Sequence, residues 1–363
     1  MALSPQGGAA WLPQYGLCVL HPLQAVGTSA STIIGRARLA HANARVLSTE
    51  NLQDASQRSG TYEGGPLLPS RPGSKLKSGE AIGQQRIVTP AMPLRASGDG
   101  GADVARFLGY VGVDYSGAQA PTSSLSGLRV YAADDRSAPA EVNPPVGLKK
   151  YWTRRGVAEW LVQQLSTNGP VLAGIDHGFS FPLDYFERHG LSHDWPSFLD
   201  DFQRHWPTDE DHVYVDFVRD GIRGNGVARQ GDTRWCRLTE RRAGAAKSVF
   251  HFDVQGSVAK STHSGLPWLL YLRRQLGDRV HFRPFDGWEI PRGRSAVVEV
   301  YPALWNRGFA REDRTSDQHD AYSVAAWMRL ADASGLLAEF FSPSLTPDER
   351  AVARIEAWIL GVE

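Results

Sequence analysis

Residues 107–117 have the sequence FLGYVGVDYSG. An unbroken run of apolar and small residues, with Val111 and Val113 at its end, is typical of a buried β-strand. The Asp-Tyr-Ser-Gly that follows is typical of a turn. We therefore predict that a folded domain begins here and that its first strand ends at Asp114.

The segments after this strand extend it into an α/β domain. Residues 128–132 form a second short β-prone run behind a Ser/Gly turn, which indicates a hairpin. Between residues 157 and 165, apolar side chains recur at the spacing of one helical face. Residues 171–176, VLAGID, are almost entirely apolar, which is typical of a central strand covered on both faces. A strand, a helix and a strand in this order predict parallel pairing.

A long middle section separates these elements from the rest of the domain. Residues 183–290 show no clean period, and we interpret them as an insertion in a domain that spans residues 106–340. After the insertion, residues 296–302, AVVEVYP, are a predicted strand, and a helix is predicted to begin near Ser316. The predicted fold class is α/β, a mixed sheet flanked by helices.

The two ends of the chain differ from this domain. Residues 1–105 contain three aromatic side chains and many Gly, Ser, Pro, Gln and Ala residues, so they bury too little surface to offset the entropy of ordering. We predict a disordered, low-complexity segment. The absence of acidic residues before Glu50 leaves a transit peptide as an alternative. Residues 341–363 are predicted to form a C-terminal helix.

The composition excludes several classes of protein. Lys+Arg and Asp+Glu are both 39, so the formal net charge is zero and no global field attracts nucleic acid or an anionic membrane. The two cysteines, Cys18 and Cys236, are far apart, which excludes a disulfide framework, a zinc ribbon and an iron–sulfur site and favours the cytoplasm. No apolar stretch approaches the roughly 18 to 20 residues that span a bilayer, so no membrane partner is expected.

Four acidic residues occupy positions at which α/β proteins commonly carry functional side chains. Two end predicted strands, one lies inside a strand and one is in the first turn of the last helix of the domain: Asp114, Asp176, Glu299 and Asp320. Because the carboxyl ends of neighbouring parallel strands meet in one crevice, we expect these carboxylates to converge. An Asp after a strand is also a common turn or cap residue. Glu299 has no evident partner, and burying an unpaired carboxylate is costly, which favours a functional role.

Carboxylates this close stay ionised only when a cation lies between them. Oxygen ligands favour Mg²⁺ or Mn²⁺. We predict two such ions, held by Asp114, Asp176, Glu299, Asp317 and Asp320. Two metal ions on one phosphoryl group are typical of phosphodiester hydrolysis. Asp317 is alternatively an N-cap or first-turn acid.

Four stretches together carry a resemblance. Residues 111–118 (VGVDYSGA), 174–182 (GIDHGFSFP), 299–302 (EVYP) and 317–321 (DQHDA) resemble the successive motifs of an uncharacterised family of predicted nucleases with the ribonuclease H-like fold. The last stretch also resembles the final acidic pair of Holliday-junction resolvases of the same superfamily. The resemblance implies a five-stranded mixed sheet with helices on both faces, and it leaves residues 1–105 untouched.

The middle section is locally rich in positively charged residues, although the chain as a whole has no net charge. Arginines are dense between residues 219 and 242, and lysines follow them. The residues that we predict to bind a phosphate backbone are Arg234, Arg237 and Lys247. Lys260 is predicted to offset the charge on the phosphoryl oxygens during catalysis. The alternative is a solvated face on which acidic residues of the same section balance the arginines.

The predicted function is metal-dependent hydrolysis of phosphodiester bonds in RNA or DNA, with Asp114, Asp176, Glu299, Asp320 and Lys260 as catalytic residues. A non-catalytic nucleic-acid-binding module of the same fold is an alternative. A phosphotransferase similar to actin or sugar kinases is a further one, because residues 114–117 form a plausible phosphate-facing turn. Such kinases duplicate the fold, whereas one copy is visible here.

Overall fold

A computed structural model describes residues 106–147, 149–166, 169–253 and 258–363. The predicted disordered segment, residues 1–105, lies outside the described residues.

The described residues form a six-stranded mixed sheet in the order β3-β2-β1-β4-β6-β5. The strands are β1 (Gly109–Asp114), β2 (Arg129–Asp134), β3 (Ala140–Glu141), β4 (Val171–Asp176), β5 (Val280–Phe282) and β6 (Ser295–Glu299). Strand β2 is antiparallel to β1 and to β3, whereas β1, β4, β6 and β5 run parallel to one another.

Helices flank the sheet. They are α1 (Arg154–Leu165), α2 (Leu183–His189), α3 (Trp195–His205), α4 (Val215–Arg219), α5 (Leu238–Ala243), α6 (Ala259–Leu276), α7 (Ser316–Ala333), α8 (Leu336–Phe341) and α9 (Pro347–Glu356). Helices α2 to α6 and strand β5 lie in the section between β4 and β6 that the sequence marks as an insertion.

The α/β class and the parallel pairing of β1 with β4 are confirmed. The predicted number of five strands is wrong, because Val280–Phe282 adds a short strand beside β6 at the edge of the sheet. The strand predicted over residues 296–302 ends at Glu299, and the chain turns into a short 3₁₀ segment at Pro302–Leu304. Within residues 341–363, the helix is Pro347–Glu356.

The central strands are buried on both faces, which explains their continuous apolar runs. In β4, Ala173 and Ile175 pack on the side of α1, α3 and α6. Leu172 points the other way and packs with Val324 and Met328 of α7. Side chains alternate between faces along a strand, so each of these strands contributes to two cores.

Small residues let α7 approach the sheet closely. A Cβ added to Gly112 of β1 would lie 2.2 Å from the backbone oxygen of Ala321 in α7. A Cβ at Gly174 of β4 would lie 3.0 Å from a methyl group of Val324 in α7. The two glycines therefore permit a contact that larger residues would prevent. This close packing fixes the first turn of α7 near the carboxyl ends of β1 and β4.

Among the described residues, no helix combines the length and the apolar character needed to cross a membrane.

Candidate functional site

Two aspartates end neighbouring parallel strands side by side. Asp114 is the last residue of β1 and Asp176 is the last residue of β4, and the strand register pairs them directly. Both line a cleft of about 950 Å³ at the carboxyl end of the sheet. Such a cleft is where open parallel sheets bind their ligands, because the strands end there and loops build the walls.

Helix α7 brings two more carboxylates to the same cleft. Its N-terminus is fixed by a capping box in which Thr315 accepts a hydrogen bond from the backbone of Gln318 and Gln318 bonds back to Thr315. Asp317 and Asp320 in the first turns then line the cleft with the strand-end aspartates. The side-chain amide of Asn306 donates a 2.8 Å hydrogen bond to Asp320 Oδ1, which orients that carboxylate. Thr315, not Asp317, is the N-cap.

The carboxylates affect one another electrostatically. Burial raises the pKa of Asp114 well above its usual range, and the charges of Asp176, Asp317 and Asp320 raise it further. Burial also raises the pKa of Asp176, with further contributions from Asp320 and Glu299. Since each charge disfavours ionisation of its neighbours, the group would bind a cation or protons readily.

Glu299 is held by an arginine. The residue is 2% exposed, and its carboxylate receives two hydrogen bonds from Arg237, Nη2 to Oε1 at 2.6 Å and Nη1 to Oε2 at 2.8 Å. The backbone N–H of Phe179 donates a third, at 3.0 Å. The interpretation of Glu299 as a buried acid without a partner is therefore wrong. Both of its oxygens are engaged, which leaves it poorly placed as a direct metal ligand.

The same contact corrects the role predicted for Arg237. Arg237 is 1% exposed and also forms an ion pair with Glu240, Nε to Oε1 at 2.8 Å. A guanidinium enclosed by two carboxylates has no donor to offer a phosphate backbone. Arg237 instead neutralises Glu299 below the cleft.

Neither Arg234 nor Lys247 lines the acidic cleft. The Arg234 side chain is largely exposed and pairs with Asp232 two residues away, at 2.6 Å. Lys247 lines a smaller cavity of about 150 Å³, which shares Asp176 and Tyr301 with the acidic cleft. The structure thus places neither residue on the wall of the cleft that holds Asp114.

Most arginines between residues 219 and 242 are paired with acids, which favours the alternative of a balanced, solvated face. The ion pairs are Arg219 with Asp216, Asp220 and Asp253, Arg229 with Asp201, Arg234 with Asp232, Arg237 with Glu240 and Glu299, and Arg242 with Glu349.

Lys260 lies in the cleft, as a catalytic cation would. It belongs to the first turn of α6, and its Nζ lies 2.8 Å from Asp216 Oδ2 of α4. The turn after β1 packs against this end of α6, because a Cβ at Gly117 would lie 2.2 Å from the Lys260 carbonyl carbon. Lys260 is therefore a cation on the wall of the cleft, and Asp216 keeps its side chain in place.

Sequence reasoning missed several residues of this cleft. Tyr301 lines the cleft next to Asp176, and Tyr214 and Phe217 line it from the inserted section. Tyr301 lies inside the strand predicted over residues 296–302, and only the observed end of that strand at Glu299 places it among the residues that follow a strand. Nothing in the sequence around Tyr214 and Phe217 separates them from ordinary core aromatics.

His177, next to Asp176, is a neutral packing residue. Burial lowers the pKa of His177 to about 4, and its Nδ1 lies 2.9 Å from the backbone oxygen of Gly178. Its ring packs edge-on against Tyr115, with 4.6 Å between the centroids. A neutral imidazole in this position orients the turn after β4.

The donor set suits a magnesium ion that keeps much of its water. In the part of the chain that the structure describes, no three His, Cys, Asp or Glu side chains are arranged to hold a metal ion by themselves. Mg²⁺ is commonly held by one or two carboxylates, with waters and substrate phosphate as the other ligands. Asp114 and Asp176 supply that number of carboxylates, with oxygen donors only. The residues thus fit Mg²⁺ or Mn²⁺ more readily than zinc, whose protein sites commonly include His nitrogen or Cys sulfur.

Comparisons of this chain with models of known protein families, with curated proteins and with solved structures found no match.

Proposed function

We propose that this chain is a metal-dependent nuclease that hydrolyses phosphodiester bonds on a ribonuclease H-like fold. One observation carries the proposal: Asp114 and Asp176 are register partners at the carboxyl ends of β1 and β4, and α7 adds Asp317 and Asp320 to the same cleft. Such a concentration of mutually repelling carboxylates is costly for stability and points to a bound cation.

The sheet topology supports the fold part of the proposal. The sheet is mixed and flanked by helices, as the motif resemblance implies, although it has six strands and not five. Strand β5 is an addition at the edge. The acidic residues of the resembling motifs come from β1, β4, β6 and α7, which meet at one end of the sheet.

The metal part of the proposal assigns ligands. Asp114 and Asp176 would hold one Mg²⁺ or Mn²⁺, and Asp320 with Asp317 would hold a second. When bound, such ions lower the pKa of a water and offset charge at phosphorus. Glu299 has a supporting role, since Arg237 engages both of its oxygens.

Other side chains of the cleft position a phosphodiester. The ammonium of Lys260 would offset negative charge on the phosphoryl oxygens, as expected of a cation held by Asp216. The pKa of Tyr301 is raised by burial and by the charges of Asp176 and Asp320, so its hydroxyl stays protonated and can donate a hydrogen bond. Both groups would stabilise an anionic phosphoryl group beside the carboxylates, Lys260 by its charge and Tyr301 by a hydrogen bond, and neither would form a covalent bond to it.

A non-catalytic nucleic-acid-binding module is the second candidate. The observation that favours it is that the described part of the chain contains no preformed set of three metal ligands. In that case the carboxylates would be remnants and the cleft would bind nucleic acid without cleaving it.

A cleavage assay tests the proposal. Labelled single-stranded, duplex and branched nucleic acids are incubated with the full chain in Mn²⁺, in Mg²⁺ or in EDTA. We expect cleavage of at least one substrate with either metal and none in EDTA. Mn²⁺ soaked into crystals should give anomalous density beside Asp114 and Asp176. Intact substrates with purified protein, together with no anomalous density, would contradict the nuclease and favour the binding module.

A further inference from the structure

Two aromatic rings line the acidic cleft from the inserted section. Tyr214 precedes α4 and Phe217 lies within it, and both appear on the cleft wall together with Asp114 and Asp176. Their ring centroids are 4.0 Å apart and the rings are tilted by 36°. At this separation the two rings pack face against face, so they form one aromatic pair, called here the aromatic surface, whose outer faces are open to the same cleft as the carboxylates.

The packing of α4 leaves the large rings at the cleft and buries smaller residues. Val213, Val215 and Val218 are buried, at 3%, 0% and 0% exposure, whereas Tyr214 and Phe217 are half-buried. Stability alone favours the opposite choice, since a buried aromatic ring removes more apolar surface from water than a valine. The arrangement therefore keeps two aromatic faces accessible at the cost of some apolar burial.

Charged groups line the same cleft as the aromatic surface and the carboxylates. Asp216, between Tyr214 and Phe217 in the sequence, holds Lys260 at 2.8 Å, and both line the cleft. A ligand that fills the cleft thus meets carboxylates, a cation and an apolar aromatic surface. An anionic backbone carrying flat aromatic groups has this distribution of chemistry, and that is the chemistry of a nucleic-acid strand.

We infer that the cleft binds single-stranded nucleic acid and that Tyr214 and Phe217 stack on an unpaired base next to the phosphate at the carboxylates. This inference rests on the proposed nuclease function and names its substrate class. A base can stack on a protein ring only when it is free of its own neighbours in a duplex. A continuous duplex would leave the aromatic surface unused.

Binding measurements test the inference separately from catalysis. The full chain carrying Asp320→Asn, in Mg²⁺, is titrated with a 12-nucleotide single strand and with the matched duplex, each as DNA and as RNA. We expect tighter binding of the single strand. Phe217→Leu and Tyr214→Leu should each weaken single-strand binding about tenfold or more and leave duplex binding unchanged. Phe217→Trp, which keeps a stacking surface, should retain the affinity.

The matched control is Tyr151→Leu, because Tyr151 is also a half-buried tyrosine but lines a different groove beside α1. It should not change the affinity. A 2-aminopurine in the single strand should lose fluorescence on binding to the chain with its aromatic pair intact, which reports stacking even if the leucine variants fold poorly. Preference for the duplex, or unchanged affinity and fluorescence in folded Phe217→Leu, would overturn the inference.

The two proposals fail in different ways. If the wild-type chain cleaves no substrate while the stacking results hold, single-strand binding stands and the nuclease does not. If the chain cleaves nucleic acid but Phe217→Leu binds and cleaves like the wild type, the nuclease stands and the aromatic surface has no part in substrate binding.

Discussion

Asp114 and Asp176 are direct register partners across the parallel strands β1 and β4, so the fold places two carboxylates at adjacent backbone positions at one end of the sheet. Burial and mutual repulsion raise the pKa of Asp114 above its usual range, and burial has the same effect on Asp176. When both carboxylates are ionised, their repulsion opposes folding. Such an arrangement is expected where a bound ligand offsets the repulsion.

Asp114→Asn should stabilise the metal-free protein at neutral pH, because it removes one of the repelling charges and keeps the shape of the side chain. We expect a rise in Tm of a few degrees, on the order of 1 kcal/mol for a domain of this size. Mg²⁺ or Mn²⁺ should raise the Tm of the wild type by binding the folded state. Thermal unfolding with and without metal measures both, and an undiminished metal response in the variant would remove Asp114 from the site.

The metal-free protein should lose stability as the pH rises through the pKa values of these carboxylates. Because the folded-state pKa of Asp114 and Asp176 lies above the unfolded value of about 4, the folded state binds more protons between those values. The stability that comes from binding these extra protons is present below about pH 4 and is lost as the pH rises towards neutral.

The double variant Asp114→Asn/Asp176→Asn isolates this effect from the other carboxylates of the chain. In urea unfolding with EDTA, the double variant should be more stable than the wild type at pH 8, and the difference should shrink as the pH falls towards 4. A difference in unfolding free energy that is constant with pH would contradict the raised pKa values.

Arg237→Met should strongly destabilise the fold, by about 3 to 5 kcal/mol, because it leaves Glu299 and Glu240 buried without a counter-charge. Adding Glu299→Gln should recover part of the loss. Arg234→Met is the matched control: its exposed pair with Asp232 is screened by solvent, so the change should have little effect on the free energy of unfolding. Urea unfolding compares the three variants, and equal effects of the two single changes would contradict the buried ion pair.

Gly112→Ala should destabilise the domain by about 1 to 3 kcal/mol, because a Cβ there meets the backbone of Ala321 and must push α7 from the sheet. Gly109→Ala, in the same strand, is the control, since its nearest neighbour is a side-chain methyl of Val171 at 3.3 Å. Urea unfolding should show a small change for the control. Gly112→Ala should also weaken metal binding, because α7 carries Asp317 and Asp320.

The sequence predicts those parts of the site that depend on local pattern. A continuous apolar run followed at once by Asp marks the ends of β1 and β4, so Asp114 and Asp176 are found without a structure. The helix predicted to begin near Ser316 does begin there, and this places Asp317 and Asp320 in its first turns. Parallel pairing of the strands then brings these residues to one end of the sheet.

The features that the sequence does not reveal depend on contacts between distant segments. Glu299 and Arg237 are 62 residues apart, and no local pattern shows that one neutralises the other. The same limit applies to the middle section. Its apolar residues follow no regular helical or strand period, so the sequence does not show which arginines are buried. Strand β5 is only three residues long and follows a helix, so its pairing with β6 is decided by tertiary packing.

Asp320→Asn should abolish cleavage and preserve nucleic-acid binding. The change removes one ligand charge, while the amide oxygen can still accept the 2.8 Å hydrogen bond from Asn306, so α7 should keep its geometry. Misplacing a catalytic metal removes several kcal/mol of transition-state stabilisation, which corresponds to a loss of about a thousandfold or more in rate. Cleavage rates with Mn²⁺ and binding of a labelled strand measure the two properties separately.

The control for this variant is Asp313→Asn, which neutralises an exposed acid in the loop before α7 and outside the cleft lining. Its cleavage rate should equal that of the wild type, because the net charge changes by the same amount without loss of a ligand. If Asp320→Asn and Asp313→Asn cleave equally fast, Asp320 is not a metal ligand. If Asp320→Asn alone loses cleavage and binding in parallel, the Asp320 carboxylate instead maintains the structure of the cleft. The reason is that the charge of a metal ligand stabilises the transition state far more than it stabilises the bound strand.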